Sequence, residues 1–567
     1  MTARARLSRS RARRARTSDA GAPTGSPQER LGGIRRHPRV VTLGLSLLAI
    51  AGLAALLRDG PEPASGRSVN ALPAGPLDGS VIGTARLPDS PPCGPNGPVI
   101  WLRDARRLPA APIVLFLSAG IPVCVVRTSQ SAFTHPLVMS WPTTRFNDRQ
   151  RGSVCRYLSR GGTFLAVDAS LRARTVLGRT VCGSRLHRSA LYSRIENVPE
   201  SGYVSGGHLR DRQIESLRRF WVGQEAGFRL GDAPAGARAA VAIVHDVRSV
   251  SGAASAARYL ARERSFGLRS TFALQTRVLD DAIGRSLLTP ELRSLARAVR
   301  EAGGAVATAG VAGGSLLDLP TGVGRESYPE YTPAFATVTE LTGASLFGEL
   351  RVGRYLAGEL AGARPSVFAG QGERTGRGFA AVAEAAGLTA DATLSTSVAN
   401  GAFPFFQTES GGTIRDVVRF PVSYQNLPGE HDLGALEAVL ARNLASGAPT
   451  VAVITPDGDA GKLVAEERIV RALPTYAWSG TLDELARFVR ARARVGIDAK
   501  PVGRRSNGWI VWLTAATRTA GQSLVAPFEI GRAVDQDGHA LTVLRGRTVV
   551  LPTFTGRIAV NVAPRLR

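Results

Sequence analysis

Apolar runs of strand length alternate with helical stretches through most of the chain, and their spacing divides it. Between residues 96 and 237, the stretches 99–102 (VIWL), 113–117 (IVLFL) and 123–126 (VCVV) are apolar throughout. Residues 151–159 have helical spacing, and Gly161-Gly162 turns into a further apolar run, 163–167. Strands without polar alternation belong in sheets covered on both faces, so this part is expected to form a parallel α/β sheet.

Residues 238–495 are more regular. A strand at 239–244 leads to a helix at 251–264 that ends near Gly267, and a strand at 270–275 follows. The next helix is marked by Thr289 as cap, Pro290 at its first position, Glu291 in its first turn and Gly303 beyond its end. Strands at Val306, 366–368 and 450–454 alternate with helices at 379–386 and 432–446, and the capping box Thr481–Glu484 opens a last helix. Repeated strand–helix units predict a (β/α) barrel or a closely related open form. From 496 to 567 the pattern shifts to short strands, 509–513, 540–544, 548–551 and 558–562, with glycine-rich turns, which predicts a small β-sandwich.

The N-terminal region is different again. Residues 40–57 are uncharged and apolar, 18 in all, which is the lower limit for a membrane-spanning helix. Eleven arginines against Asp19 and Glu29 precede this segment, and such an excess stays on the cytoplasmic side. The expectation is therefore a cytoplasmic tail (1–39), a single transmembrane anchor (40–57), a Pro/Gly-rich linker (58–95) and an extracytoplasmic body. A cleaved signal peptide is the competing reading. The long basic region before the apolar core and the polar, proline-bearing stretch after Leu57 disfavour it.

Charge and cysteines refine this picture. The net charge of +26 is carried almost wholly by arginine, the only lysines being Lys462 and Lys500. The arginines are scattered and not grouped with aromatics, so a nucleic-acid groove is not indicated; an acidic glycan or an anionic lipid surface suits an exported chain better. Cys93, Cys124, Cys155 and Cys182 all lie early in the chain. An even number in an oxidising compartment points to two disulfides, of open pairing. No Cys-x-x-Cys pair suggests zinc, and reduced, buried cysteines are the remaining reading.

Two stretches resemble known families. LSRGGTFLAVDA (158–169) is similar to the helix, Gly-Gly, strand unit of amidotransferase-like flavodoxin folds, but no nucleophile elbow follows it, so this domain is read as a binding or packing module. Over 238–493, AIVHDVRS (242–249), RSTFALQTRVL (269–279), LRSLARAVREAGGAVATAGVAG (292–313), PSVFAGQGE (365–373), TVAVITPDGDAGK (450–462) and TLDELARFVRAR (481–492) occur in the order and at the spacing of the polysaccharide deacetylase family, the chitin and peptidoglycan deacetylase group. The resemblance implies a deacetylase-like barrel in which a divalent metal, held by one Asp and two His, polarises water and an acetamide carbonyl. It also implies a second Asp as general base and a late His as acid.

The residues at the matching positions depart from that pattern. Asp246 matches the base, Val247 or Arg248 stands at the metal Asp, and Ala309 and Gly313 stand at the metal histidines. Thr455 falls near the late histidine, and Ala369 or a neighbour replaces the loop arginine. None of the seven histidines forms a His-x-x-x-His pair. A side chain without a lone pair cannot bind zinc. The expectation is thus a pseudo-deacetylase with no cofactor, which binds cell-envelope polysaccharide or peptidoglycan or an envelope protein partner. An active, diverged amide hydrolase would need a rearranged site, with zinc, built from His245, Asp246, Asp457 and Asp459 at the strand ends, with His431 or Glu373 on nearby loops. A purely structural envelope scaffold is the third reading. For each of these residues a loop-holding role is the simpler alternative, Asp457-Gly-Asp459 being a common turn composition.

Overall fold

Strand-length apolar runs form the first sheet of the computed structural model. It describes residues 94–565, apart from 103–109, 142–147, 168–171, 176–191, 195–202, 225, 279–285, 313–315, 317–318, 334–343, 371–377, 393–401, 409–413, 427–432 and 504–507. The tail, the apolar segment 40–57 and all but the end of the linker lie outside the described residues. Among the described residues no helix is long and apolar enough to cross a membrane.

The first sheet contains β1 (Val99–Leu102), β2 (Cys124–Val126), β3 (Leu137–Trp141), β4 (Thr163–Val167), β5 (Arg172–Thr175) and β6 (Tyr192–Arg194), in the order β2-β1-β3-β4-β5-β6. The first four are parallel and the last two antiparallel. Besides the single turn Ser129–Ala132, the described residues place three longer helices with it, α1 (Ala110–Ser118), α2 (Asp148–Ser159) and α3 (Tyr203–Val222). Alternate strand residues face opposite sides. Ile100, Leu137 and Met139 pack with Phe116 of α1 and Ile214 and Leu217 of α3, while Val99, Trp101, Val138 and Phe164 pack with Val154 and Tyr157 of α2.

One expectation is corrected here. Residues 113–117 are not a strand but the body of α1, with Pro112 in the first turn, where a missing N–H costs nothing. This helix is buried along its length, and Ser118 Oγ at its end donates to the Pro404 carbonyl of the neighbouring unit at 3.0 Å. A helix buried on all sides is apolar on all sides, and a short apolar run then carries no period to distinguish it from a strand.

After the two-residue strand β7 (Arg229–Leu230), the chain builds a large curled sheet. Its strands are β8 (Ala239–Val247), β9 (Thr271–Leu274), β10 (Ala305–Thr308), β11 (Val367–Ala369), β12 (Ala390–Ala392), β13 (Phe405–Thr408), β14 (Ile414–Arg419), β15 (Tyr424–Asn426), β16 (Thr450–Ile454) and β17 (Ala477–Ser479). They lie in the order β13-β14-β12-β11-β10-β9-β8-β16-β15, with β17 also on β8. Only β13 runs antiparallel to its neighbour. The sheet is a half-barrel: β13 and β15 are edges, and no pairing joins them among the described residues.

Helices α4 (Val250–Phe266), α5 (Pro290–Glu301), α6 (Leu346–Ala361), α7 (Phe379–Ala385), α8 (Leu433–Ser446), α9 (Ala460–Ala472) and α10 (Leu482–Arg492) complete the unit. The capping signals act as the sequence implies. Thr289 accepts from the Leu292 N–H, Gly267 closes α4 at φ +66°, and Thr481 and Glu484 form a reciprocal capping box. The inner face of the sheet is alanine-rich: Ala240, Ala242, Ala273, Ala307, Ala309, Ala369, Ala390 and Ala392 share a core with α10. Small side chains let α10 lie close across that face. Its first residue, Leu482, donates its N–H to Thr271 Oγ1 on β9 at 2.8 Å, and Arg494 just past its end donates to Asp416 on β14 at 2.6 Å. The outer face carries Val241, Ile243 and Val247 against the surrounding helices.

Two antiparallel four-stranded sheets follow. They contain β18 (Val495–Pro501), β19 (Trp509–Thr519), β20 (Ser523–Val525), β21 (Ile530–Asp535), β22 (Val543–Leu544), β23 (Thr548–Val550) and β24 (Phe554–Pro564), in the orders β18-β19-β24-β21 and β22-β23-β20-β7. Trp509, Val511, Leu513 and Ala515 alternate inward along β19 and share one core with Leu524, Val549 and Phe228. Strand β7, from the stretch that precedes the half-barrel, completes the second sheet.

Candidate functional site

Strand geometry separates the two residues that the sequence sets side by side. His245 and Asp246 are consecutive in β8, so they face opposite sides of the sheet. Asp246 shares the parity of Ala240, Ala242 and Val244 and points to the inner face, fully buried at the strand's carboxyl end. Its Oδ2 accepts a hydrogen bond from Nε of Arg248 at 2.7 Å. Neighbouring strand ends present Ala309 and Ala369, both buried and without donor atoms. Gly313, Glu373 and His431 lie outside the described residues.

The expectation that His245, Asp246, Asp457 and Asp459 line one barrel face is corrected by this parity. His245 faces the helical layer. Asp459 caps α9 by accepting from the Gly461 N–H at 2.8 Å, and Asp457 accepts from the Asp459 N–H at 3.1 Å. The other oxygen of Asp457 pairs with Nζ of Lys462, which is itself fully buried. Both aspartates thus hold the turn between β16 and α9. Among the described residues, no three of the four candidates come within mutual ligand distance.

What surrounds His245 was not evident in advance. Its Nε2 is 2.8 Å from Oε1 of Glu263 on α4 and 3.7 Å from Oε2 of Glu466 on α9. Ser270 Oγ donates to the second oxygen of Glu263 at 2.6 Å. The imidazole packs against Phe272 and Tyr259, at ring-centroid distances of 4.5 and 5.1 Å. Burial, with the charge of Glu263 and a side-chain hydrogen bond to it, pushes the Glu466 carboxyl well above the usual range. A signal for Glu263 does exist. Ala256, Tyr259, Leu260 and Glu263 form one helical stripe of α4, so a carboxylate occupies an apolar position. Glu466 stands likewise on the buried face of α9 with Lys462, Ala465 and Ile469.

A second buried carboxylate shapes the loop after β10. Glu349 of α6 accepts the successive N–H groups of Val311 and Ala312, each at 2.9 Å, and the Tyr331 hydroxyl, also at 2.9 Å. Burial and this carboxylate push the Tyr331 hydroxyl up, keeping it a donor. Asp535, Asp537 and His539 form a further acidic group, at an exposed turn where Asp535 accepts the N–H groups of Asp537 and His539. That bonding is the ordinary Asx-turn pattern. Cys124 and Cys155 are disulfide-bonded, while Cys93 and Cys182 lie outside the described residues.

No protein-family model and no curated protein matches the sequence. Solved structures do. A protein from Mycobacterium smegmatis described as a polysaccharide deacetylase is 18% identical, with a TM-score of 0.33, over 46% of this chain and 94% of its own. The peptidoglycan deacetylase PdaC from Bacillus subtilis is 12% identical, with a TM-score of 0.22, over 44% and 89%. A mutant of a family 4 carbohydrate esterase pseudoenzyme with restored activity is 10% identical, with a TM-score of 0.28, over 57% and 91%. The chain is thus similar to polysaccharide deacetylases, among them a pseudoenzyme.

Proposed function

We propose that this chain is a membrane-anchored, extracytoplasmic, deacetylase-like protein that binds a cell-envelope glycan without hydrolysing it. The observation that carries this reading is the Asp246–Arg248 pair. At the inner strand end, where the motif resemblance puts base and metal ligands, the Asp246 carboxylate is fully buried and engaged by a guanidinium at 2.7 Å. Freeing it as a base would strand a buried charge, which is strongly unfavourable. The family's metal does not fit the residues present: Ala309 offers no lone pair, and Arg248 offers a positive charge where a carboxylate ligand belongs.

The location rests on the arginine-rich tail before residues 40–57, and the disulfide-bonded Cys124 and Cys155 suit an oxidising compartment. The arginine surplus of the chain suits an acidic polymer. The test is to incubate the purified chain with chitooligosaccharide and with peptidoglycan and to follow acetate release and retention on the insoluble polymer. The expected result is retention without acetate. Acetate release that Asp246→Asn abolishes would establish the active hydrolase instead, and failure to bind either glycan would leave the scaffold reading in possession.

A further inference from the structure

The group behind β8 has the composition of a metal site. His245, Glu263 and Glu466 are 0%, 1% and 3% exposed, and each offers one ligand atom within 4.8 Å of the others. They come from three elements: β8 and α4 follow one another in the chain, while α9 lies some two hundred residues further on and joins them only when the helical layer closes on the sheet. A tetrahedral ion with bonds of about 2.1 Å places its ligand atoms roughly 3.4 Å apart. The separations of 2.8 and 3.7 Å from His245 Nε2 straddle that value.

A second observation points to a ligand. Oε2 of Glu466, the oxygen facing His245, has no hydrogen-bond partner, and neither does the hydroxyl of Tyr259. Tyr259 is 1% exposed and lies one turn before Glu263 on the same face of α4. Leaving such groups unpaired in a protein interior is costly. We infer that His245, Glu263 and Glu466 form a structural site for a first-row divalent cation, zinc in the first instance.

Charge supports the assignment. A neutral imidazole and two carboxylates around a divalent ion sum to zero, the state a dry interior tolerates best. The ion takes the Nε2 lone pair, the ring keeps its proton on Nδ1, and any proton held between the two carboxyl groups leaves to solvent. Imidazole excludes calcium and magnesium, which take oxygen ligands, and one nitrogen with two oxygens suits zinc, cobalt or manganese. Phe272 and Tyr259 hold the ring in place by packing. The site lies in the helical layer, so this inference does not depend on what the inner face binds.

The experiment uses the full chain unfolded, stripped with a chelator, refolded with zinc and dialysed. Wild type should retain about one zinc per chain and unfold at a higher temperature than the same protein refolded with chelator. Glu466→Gln keeps the size and shape of the side chain, so it should keep the fold by circular dichroism. Its zinc affinity should fall ~100-fold or more, and zinc should no longer raise its unfolding temperature. Asp537→Asn, in the exposed turn, should retain zinc as wild type does. Wild type holding no more zinc than Glu466→Gln would overturn the proposal, as would retention lost with Asp537→Asn.

Discussion

Lys462 and Asp457 meet at the turn after β16, and their unequal burial decides what each is worth. The lysine side chain is 0% exposed and the aspartate 32% exposed. Remove the lysine and the carboxylate turns to water, while its other oxygen still accepts the Asp459 N–H. Remove the aspartate and an ammonium remains buried, with only the Thr455 carbonyl, 3.5 Å away, to receive it. Asp457→Ala is therefore expected to destabilise the protein by roughly 2–4 kcal/mol, and Lys462→Met by less than about 1 kcal/mol. Urea unfolding of the two variants measures the difference directly, and equal losses would show that the ion pair itself, not the stranded charge, governs the turn.

At the level of elements, one carboxyl group helps to hold helix α3 to the half-barrel. Asp211 accepts the Ala402 N–H at 2.8 Å and the Phe403 N–H at 3.4 Å, while Arg210 next to it stacks on Phe405. Burial outweighs these bonds and raises Asp211 to about 6, from 3.8. The folded state then binds more protons than the unfolded one between those values, so stability is highest below the unfolded value and declines as pH rises through the folded one. The decline between pH 4 and 7 should be about 1–3 kcal/mol. Asp211→Asn, which keeps an acceptor oxygen, should flatten it in a pH series of thermal melts. The contact was invisible in the sequence because its partners are backbone groups nearly two hundred positions away. Local signals fared better. Thr289, Gly267 and the Thr481–Glu484 box marked helix ends correctly, since caps are satisfied within a few residues. Residues 113–117 form a helix where an apolar run suggests a strand, and α6 is buried on nearly all sides although it carries Glu349, Arg351, Arg354 and Glu359, so no single apolar stripe marks it. The site divided in the same way. The sequence showed that Ala309 cannot bind metal, whereas the partners of His245 required knowing which helices cover β8.

Across the molecule, the first α/β unit, the half-barrel and the paired sheets converge on Asp232. Its carboxylate takes Arg218 from α3 at 2.5 Å and Arg229 from β7 at 3.0 Å, with Arg492 at the end of α10 3.8 Å away. Three guanidiniums around one acid would repel, but helix ends supply the balance. Arg218 donates to the carbonyl of Ala119, just past the end of α1, and to that of Ser446, the last residue of α8, while Arg492 donates to Leu117 in the last turn of α1. Such C-termini carry partial negative charge. The strain of the arrangement shows in its ionisation. Burial, opposed mainly by Asp232, brings Arg218 down to about 9 and Arg492 to about 10. Burial works to raise Asp232 itself, yet Arg218 and Arg229 outweigh it and hold the carboxyl below its ordinary range. Asp232→Asn removes the carboxylate the three guanidiniums share and leaves Arg218 only the more weakly acting Glu215. It should cost about 3–5 kcal/mol, the loss typical of a broken buried ion pair. Because each guanidinium reports to a different unit, the loss should appear as separation and not only as a lower midpoint: limited proteolysis should cut between α3 and β8 in the variant under conditions where wild type is intact. If Asp232→Asn unfolds at the wild-type midpoint and resists cleavage, the helix carbonyls alone hold the junction, and the carboxylate is dispensable.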